Sequence, residues 1–131
     1  MSAIHFDVKG RVTIELPWPP KELSPNFRGH WRPIADAKRK YRSDARLLAH
    51  SALKHADGIS RFEPIRLSYE FFPPDVRAYD RDNLAARMKA ATDGIADALR
   101  MNDAGFHFAP AVLREKVKGG LVRVTIEQVE P

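Results

Sequence analysis

Two stretches of this chain alternate apolar and polar residues and then run straight into clustered prolines, which limits the folds open to it. From Arg11 to Trp18, Val12, Ile14 and Leu16 alternate with Arg11, Thr13 and Glu15, the period-two pattern of a half-buried strand. Pro17, Pro19 and Pro20 end it, because proline cannot donate to a sheet ladder. Ile65, Leu67, Tyr69 and Phe71 repeat the alternation until Pro73-Pro74 cuts it off. Between and after these strands the apolar spacing becomes helical. Ala37, Tyr41, Ala45, Leu48 and Ala52 recur at that spacing from Pro33 onward, with Asp57-Gly58 as the stop. Leu84, Met88, Ala91, Ile95 and Leu99 predict a helix from about Asp82 to Arg100, with Asp82, Lys89 and Asp93 on its opposite side. Val112 to Val117 and Leu121 to Val129 flank Lys118-Gly119-Gly120 and read as a C-terminal β-hairpin. With no internal repeat or linker, residues 1–131 predict a single α+β domain, a mixed β-sheet packed against two main helices.

Composition narrows the chemistry. Apolar residues at 44% and charged residues at 30% are ordinary for a globular chain and foreign to a disordered tail or a membrane span. Cysteine is absent, which excludes a disulfide framework, Cys-ligated zinc or iron–sulfur sites and thiol catalysis. Any metal must therefore be held by oxygen or histidine. Asp7 and Lys9 stand where a signal peptide would be apolar, and no apolar run approaches the roughly 18 residues of a spanning helix. The expectation is a cytoplasmic protein with no membrane partner.

The charge is concentrated. Arg28, Arg32, Lys38, Arg39, Lys40, Arg42 and Arg46 are opposed within their segment only by Asp36 and Asp44, so seven cations less two acids account for the whole net charge of +5. Such a local field suits a polyanion, because each neutralised phosphate releases counterions. The plainer reading is the solvated face of an amphipathic helix.

The most chemical segment is Asp80-Arg81-Asp82-Asn83-Leu84, where a loop after a strand enters a helix. Two carboxylates about 4 Å apart repel by about 4 kcal/mol at an effective dielectric of 20, a cost that a divalent cation cancels. Oxygen-only ligation with open water positions is what Mg²⁺ prefers. The same residues also suit purely local roles, Asp82 as a helix N-cap and Asp80 as a turn former. A third acid, Asp103, lies just past the end of the helix and reaches the first two only if the chain folds back. Rival constellations fail. Pro74-Asp75 has no downstream Glu-x-Lys, since Glu115 is followed directly by Lys116 and then by Lys118. His5, His30, His50, His55 and His107 form no zinc-protease spacing, and the serines lack a nucleophile-elbow context.

Taken in order, these features resemble the RusA-type Holliday-junction resolvases. The likeness rests on a strand entering Leu16-Pro17-Trp18-Pro19-Pro20, a basic helix, a strand ending at Pro74-Asp75, and Asp80-x-Asp82-Asn83-Leu84. A helix with Lys89 and Asp93-Gly94, an Asp just beyond it and a Gly-Gly turn complete it, so that nearly the whole chain is covered. The resemblance implies a homodimeric, Mg²⁺-dependent endodeoxyribonuclease, with Mn²⁺ as a substitute metal, that cuts four-way DNA junctions symmetrically in recombination and repair. It implies metal binding by Asp80, Asp82 and Asp103, and a catalytic role for these acids and Lys89. Asp93 and Asn83 would support them, and DNA would be gripped by Arg28, Arg32, Lys38, Arg39, Lys40, Arg42, Arg46 and Arg77.

Two positions depart from the family pattern. Its lysine falls three residues after the Asn, where this chain has Ala86. Lys89 lies one turn further on, displaced by about 4.5 Å of helical rise on the same face, and Arg87 is the other substitute. Asn102-Asp103 also stands where the family often has two consecutive aspartates. The loop from Val76 to Tyr79 carries only Arg77 as a cation. An alternative reading is a nucleic-acid-binding module that keeps the fold without catalysis, and a third is an interaction protein whose basic helix docks an acidic partner.

Overall fold

The computed structural model describes residues 4–8, 10–55, 58–59 and 64–129. The first strand, β1 (Ile4–Val8), pairs antiparallel with β2 (Arg11–Pro17). A proline-rich loop with a 3₁₀ turn at Lys21–Leu23 leads to α1 (Trp31–Lys54), whose N-cap His30 accepts from the Arg32 N–H through its ring nitrogen. Pro33 is tolerated there because it lies in the first turn, where N–H groups have no intrahelical partner. Of the expected stop, Asp57 lies outside the described residues; the helix ends at Lys54. β3 (Ile65–Phe72) is followed by α2 (Arg81–Arg87), α3 (Lys89–Leu99), a 3₁₀ turn at Asp103–Gly105, β4 (Phe106–Phe108), β5 (Val112–Leu113) and β6 (Leu121–Gln128).

One mixed sheet runs in the order β1-β2-β6-β3-β4, with β5 further along the same edge of β3. Its register explains the core. Val12, Ile126 and Leu67 stand opposite one another across three strands, as do Ile14, Val124 and Tyr69, and Leu16, Val122 and Phe71. All nine side chains are buried beneath the helices, which contribute Tyr41, Ala45, Ala49 and Ala52 from α1 and Leu84, Met88, Ala91, Ile95 and Leu99 from the α2–α3 region. Period-two alternation sends the intervening residues to the other face, where charge pairs cross the strands. Arg66 meets Glu127 at 2.9 Å, Arg114 meets Glu70 at 2.8 Å and Arg123 meets Glu15 at 3.4 Å.

The α+β class, the single mixed sheet and the helices on it agree with the sequence reading, and two details are corrected. The single helix expected from about Asp82 to Arg100 is two. At Met88 the backbone N–H bonds to Ala85 O at 3.1 Å, an i→i−3 step, and the Thr92 hydroxyl donates back to Met88 O at 2.9 Å. The apolar stripe continues through the break, so periodicity carries no sign of it. The C-terminal hairpin is the second correction. Gly119 and Gly120 do turn the chain, both at positive φ, but the strands around them do not pair with each other. β5 joins β3 in parallel and β6 lies on the opposite edge of β3, antiparallel. β1 and β4 were not foreseen. Among the described residues no helix is long and apolar enough to cross a membrane.

One glycine sets how closely the helices approach. A Cβ on Gly94 would lie 2.2 Å from Arg42 O and 3.0 Å from Arg46 N, so α3 rests directly on the backbone of α1. Gly94→Ala should therefore lower the unfolding free energy by about 1–3 kcal/mol, the overpacking cost, despite alanine's helix advantage of up to about 1 kcal/mol. Urea denaturation measures it; a stabilised variant would refute the close approach.

Candidate functional site

The loop that leaves β3 is ordered by its own side chains. Asp75 Oδ1 accepts from the Arg77 N–H at 3.1 Å and from the Tyr79 hydroxyl at 3.0 Å, and the Tyr79 ring meets Trp18 edge-on with centroids 5.3 Å apart. The loop delivers Asp80 to the start of α2. There Oδ1 of Asp80 accepts from the N–H groups of Asp82 and Asn83, at 2.8 and 3.2 Å, satisfying two of the donors a helix start leaves open. Asp80, not Asp82, is the N-cap, and both are exposed.

Asn83 and Arg87 engage the proline-rich loop. Asn83 donates to Ser24 Oγ at 2.9 Å, and Arg87 donates to Asn83 Oδ1 at 3.2 Å and to Pro19 O at 3.3 Å. Together they pin the proline-rich loop against α2. Arg87 is thereby committed elsewhere, and Lys89 is the cation that meets the acids. Its ammonium donates to Asp93 Oδ1 at 2.9 Å and to Asp103 Oδ2. The pair with Asp93 is the expected i,i+4 contact within α3. The pair with Asp103 requires the chain to fold back, and it does so at Arg100. This residue adopts a left-handed conformation at φ +57, and Met101 N–H returns to Ala96 O at 3.1 Å. Asn102 then caps the following turn through the Ala104 N–H at 2.9 Å, which accounts for its side chain without a ligating role.

Hydrogen bonds donated to Asp103 and then to Asp93 hold the Lys89 ammonium above the usual lysine range, and the bond from Lys89 holds the Asp103 carboxyl below the usual carboxylate range. Oxygen donors at Asp80, Asp82 and Asp103 suit a hard divalent cation in kind, and the Asp80 cap uses only Oδ1. Their arrangement is another matter. Among the described residues no three acidic or histidine side chains are gathered as a metal-ligating group. Asp103 and Asp93 share the Lys89 ammonium, and Asp80 and Asp82 stand at the head of α2.

All eight cations expected to meet DNA are exposed: Arg28, Arg32, Lys38, Arg39, Lys40, Arg42, Arg46 and Arg77. Three of them, Lys38, Arg39 and Arg42, face Arg87 and Lys89 across a hollow of about 550 Å³ between α1 and the α2–α3 region. Arg39 pairs with Asp36, Lys40 with Asp44 at 3.0 Å and Arg42 with Asp97 at 2.7 Å, all at the surface. Arg77 lies apart, paired with Asp75 at 3.1 Å. A second hollow, about 450 Å³, opens on the other side of Lys89 and includes Tyr69, Thr92, Asp103 and Phe108. Of these, sequence reasoning singled out Asp103 and missed Tyr69, Thr92 and Phe108. Tyr69 and Thr92 share a buried hydroxyl contact, and burial pushes the Tyr69 phenol up to about 12. The only signal for Phe108 was its spacing of two from Phe106.

The fold and site thus define a small α+β protein with a lysine held between acids at the junction of two hollows. No family model matches the sequence. The chain is 37% identical over 119 residues to a protein from Xylella fastidiosa (strain Temecula1 / ATCC 700964) described as an uncharacterized protein; the match covers 91% of this chain and 78% of that protein. The chain belongs to the same family as that protein.

The linked shifts fix a sign. Asp103, with its depressed pKa, contributes stability above the usual aspartate range that is lost as pH falls through its folded value. Lys89, raised, contributes below the usual lysine range, and this is lost as pH rises through its folded value. The pair persists between those limits. Lys89→Ala should move the Asp103 carboxyl upward toward the ordinary range, read by carbon-13 NMR titration; an unmoved value would mean that the pair does not form in solution.

Proposed function

We propose that this protein is a metal-dependent endodeoxyribonuclease that resolves four-way DNA junctions by paired symmetric cleavage. The observation that carries this reading is the placement of Lys89. It sits against Asp103 and Asp93, beside a hollow lined on its far side by Lys38, Arg39 and Arg42 of the basic helix. A lysine held by acids next to a cationic channel suits phosphoryl chemistry, where charge grows on oxygen in the transition state. The RusA-like order of motifs supplies the substrate.

Asp80, Asp82 and Asp103 are not gathered into one ligand set among the described residues, so in this reading they would close on the metal as it binds. Bound there, Mg²⁺, or Mn²⁺ in its place, supplies Lewis-acid chemistry toward a phosphodiester. The chain's own residues do the rest. Lys89 neutralises charge developing on the phosphoryl oxygens, and Asp93, one turn along α3, keeps the ammonium aimed. The cations of Arg28 to Arg46 bind phosphates and give affinity without base specificity. Arg39 and Lys40 can exchange their surface acidic partners for phosphates at little cost, because single surface ion pairs are worth about 0–1 kcal/mol, whereas Arg42 is held by two bonds to Asp97. Two symmetric nicks call for two sites related by a two-fold axis, hence a homodimer.

Asp80→Asn isolates the metal role, because asparagine caps a helix about as well as aspartate and α2 should survive. The variant should leave a labelled four-way junction uncut in Mg²⁺ while binding it as well as the parent protein or better. Lys89→Ala should reduce the cutting rate by about 10²- to 10³-fold. Absence of Mg²⁺-dependent products from the parent protein, with junction binding retained, would favour the non-catalytic DNA-binding alternative.

A further inference from the structure

The second hollow beside Lys89 has a chemistry that phosphate binding does not use. Phe106 and Phe108 are two apart on β4 and share one face of the edge strand, and Leu67 on β3 is the register partner of Phe108. Phe106 is buried at 7%, whereas Phe108 is 54% exposed on the same face. Its ring keeps aromatic neighbours, with Tyr69 at 6.2 Å and Phe106 at 6.4 Å between centroids. The strand is interrupted just beyond it: β4 ends, Pro110 intervenes, and pairing with β3 resumes only at β5. Small residues, Ala109 and Ala111, line the hollow at this gap, leaving one side of an aromatic ring uncovered. Lys89 and Ala86 border both hollows, so the apolar aromatic space and the cationic space adjoin along a line passing the proposed catalytic lysine.

We infer that this hollow receives an unpaired nucleobase of the bound DNA, which stacks on Phe108 while the adjoining phosphate lies against Lys89. Phe108 and Lys89 line the same hollow, an aromatic face for the base and a cation for the phosphate, the two chemistries of one nucleotide. Bases held in a helix cannot enter; an unstacked base at a branch point or bulge can. Base–aromatic stacking accepts any of the four bases, so Phe108 selects for opened structure over sequence. The inference rests on the DNA reading above and assigns Phe108 as a specificity-determining residue.

The test measures binding in EDTA, so that no cleavage intervenes. Fluorescence anisotropy compares a duplex carrying a single unpaired 2-aminopurine with its fully paired counterpart. The parent protein should prefer the bulged DNA and quench the probe. Phe108→Ala should lose about tenfold in affinity for the bulged DNA and the quenching, leave the paired duplex unchanged, and Phe108→Trp should restore both. The melting temperature and solution mass of Phe108→Ala should match the parent's, given the exposure of the ring. Equal loss on both duplexes, no loss, or a smaller solution mass, which would make Phe108 a contact between copies, overturns the inference. The two readings fail separately. A junction cut in Mg²⁺ with no effect of Phe108→Ala sinks only the base pocket; Phe108-dependent binding without cutting sinks only the nuclease. Binding of neither DNA by the parent protein sinks both.

Discussion

The close approach of α3 to α1 at Gly94 is the contact on which the remaining geometry depends. With Arg42 O only 2.2 Å from where a Cβ would stand, the two helices meet backbone to side-chain-free backbone. That proximity has two consequences. It lets Arg42 of α1 reach Asp97 of α3 with two hydrogen bonds, at 2.7 and 2.9 Å, which hold the Asp97 carboxyl below its usual range. It also brings the basic face of α1 alongside Arg87 and Lys89, so that one cationic hollow is built from two distant parts of the chain. A bulkier residue at position 94 would push these apart.

The other end of the site is set by chain reversal. After α3 the backbone turns at Arg100 in a conformation that costs a non-glycine residue of order 1 kcal/mol or more, and β4 then adds to β3 in parallel. A parallel addition needs a crossover, and α2 and α3 provide it. Asp103 lies on the return path, between the end of the helix and the start of the strand. Its meeting with Lys89 is thus a product of topology. Tyr69 and Thr92 stiffen the same region from below: both are about 5% exposed and joined through their hydroxyls, and the Thr92 hydroxyl also reaches Met88 O, where the helix breaks.

Much of this was legible in the sequence, and the limit has a physical boundary. Period-two alternation identified β2 and β3, and their register with β6 follows the same apolar residues. Helical spacing identified the buried faces of α1 and of the α2–α3 region. The pairing of Lys89 with Asp93 also followed from spacing alone. What failed was information carried by tertiary contacts. The break at Met88 is invisible to a stripe that continues through it. The Gly119-Gly120 turn was recognised, but a turn specifies a reversal and not which strands will pair, and here β3 intervened between the two arms. Asp80 took the capping role that was weighed for Asp82, a shift of two residues within one motif. That Asp103 meets Lys89 depends on a left-handed arginine that no propensity argument singles out.

The location of charge ties fold to proposed chemistry. The entire net charge of +5 derives from Arg28 to Arg46, yet a basic helix alone is weak grounds for any partner. Its position changes the argument. Had the cations of α1 faced open solvent opposite the acids, field and site would be unrelated. Instead Lys38, Arg39 and Arg42 border the same hollow as Lys89, and the acids that pair with Arg39 and Arg42 are themselves exposed. A polyanion entering that hollow meets Lys38 and Arg39, whose exposed pairing with Asp36 is weak, beside Lys89, which two acids hold. The second hollow then begins where the first ends, at Ala86 and Lys89, with the charge giving way to aromatic surface. Nucleic acid has that same division, charged backbone on one side and flat apolar bases on the other, and the proposed reading uses both hollows on that account.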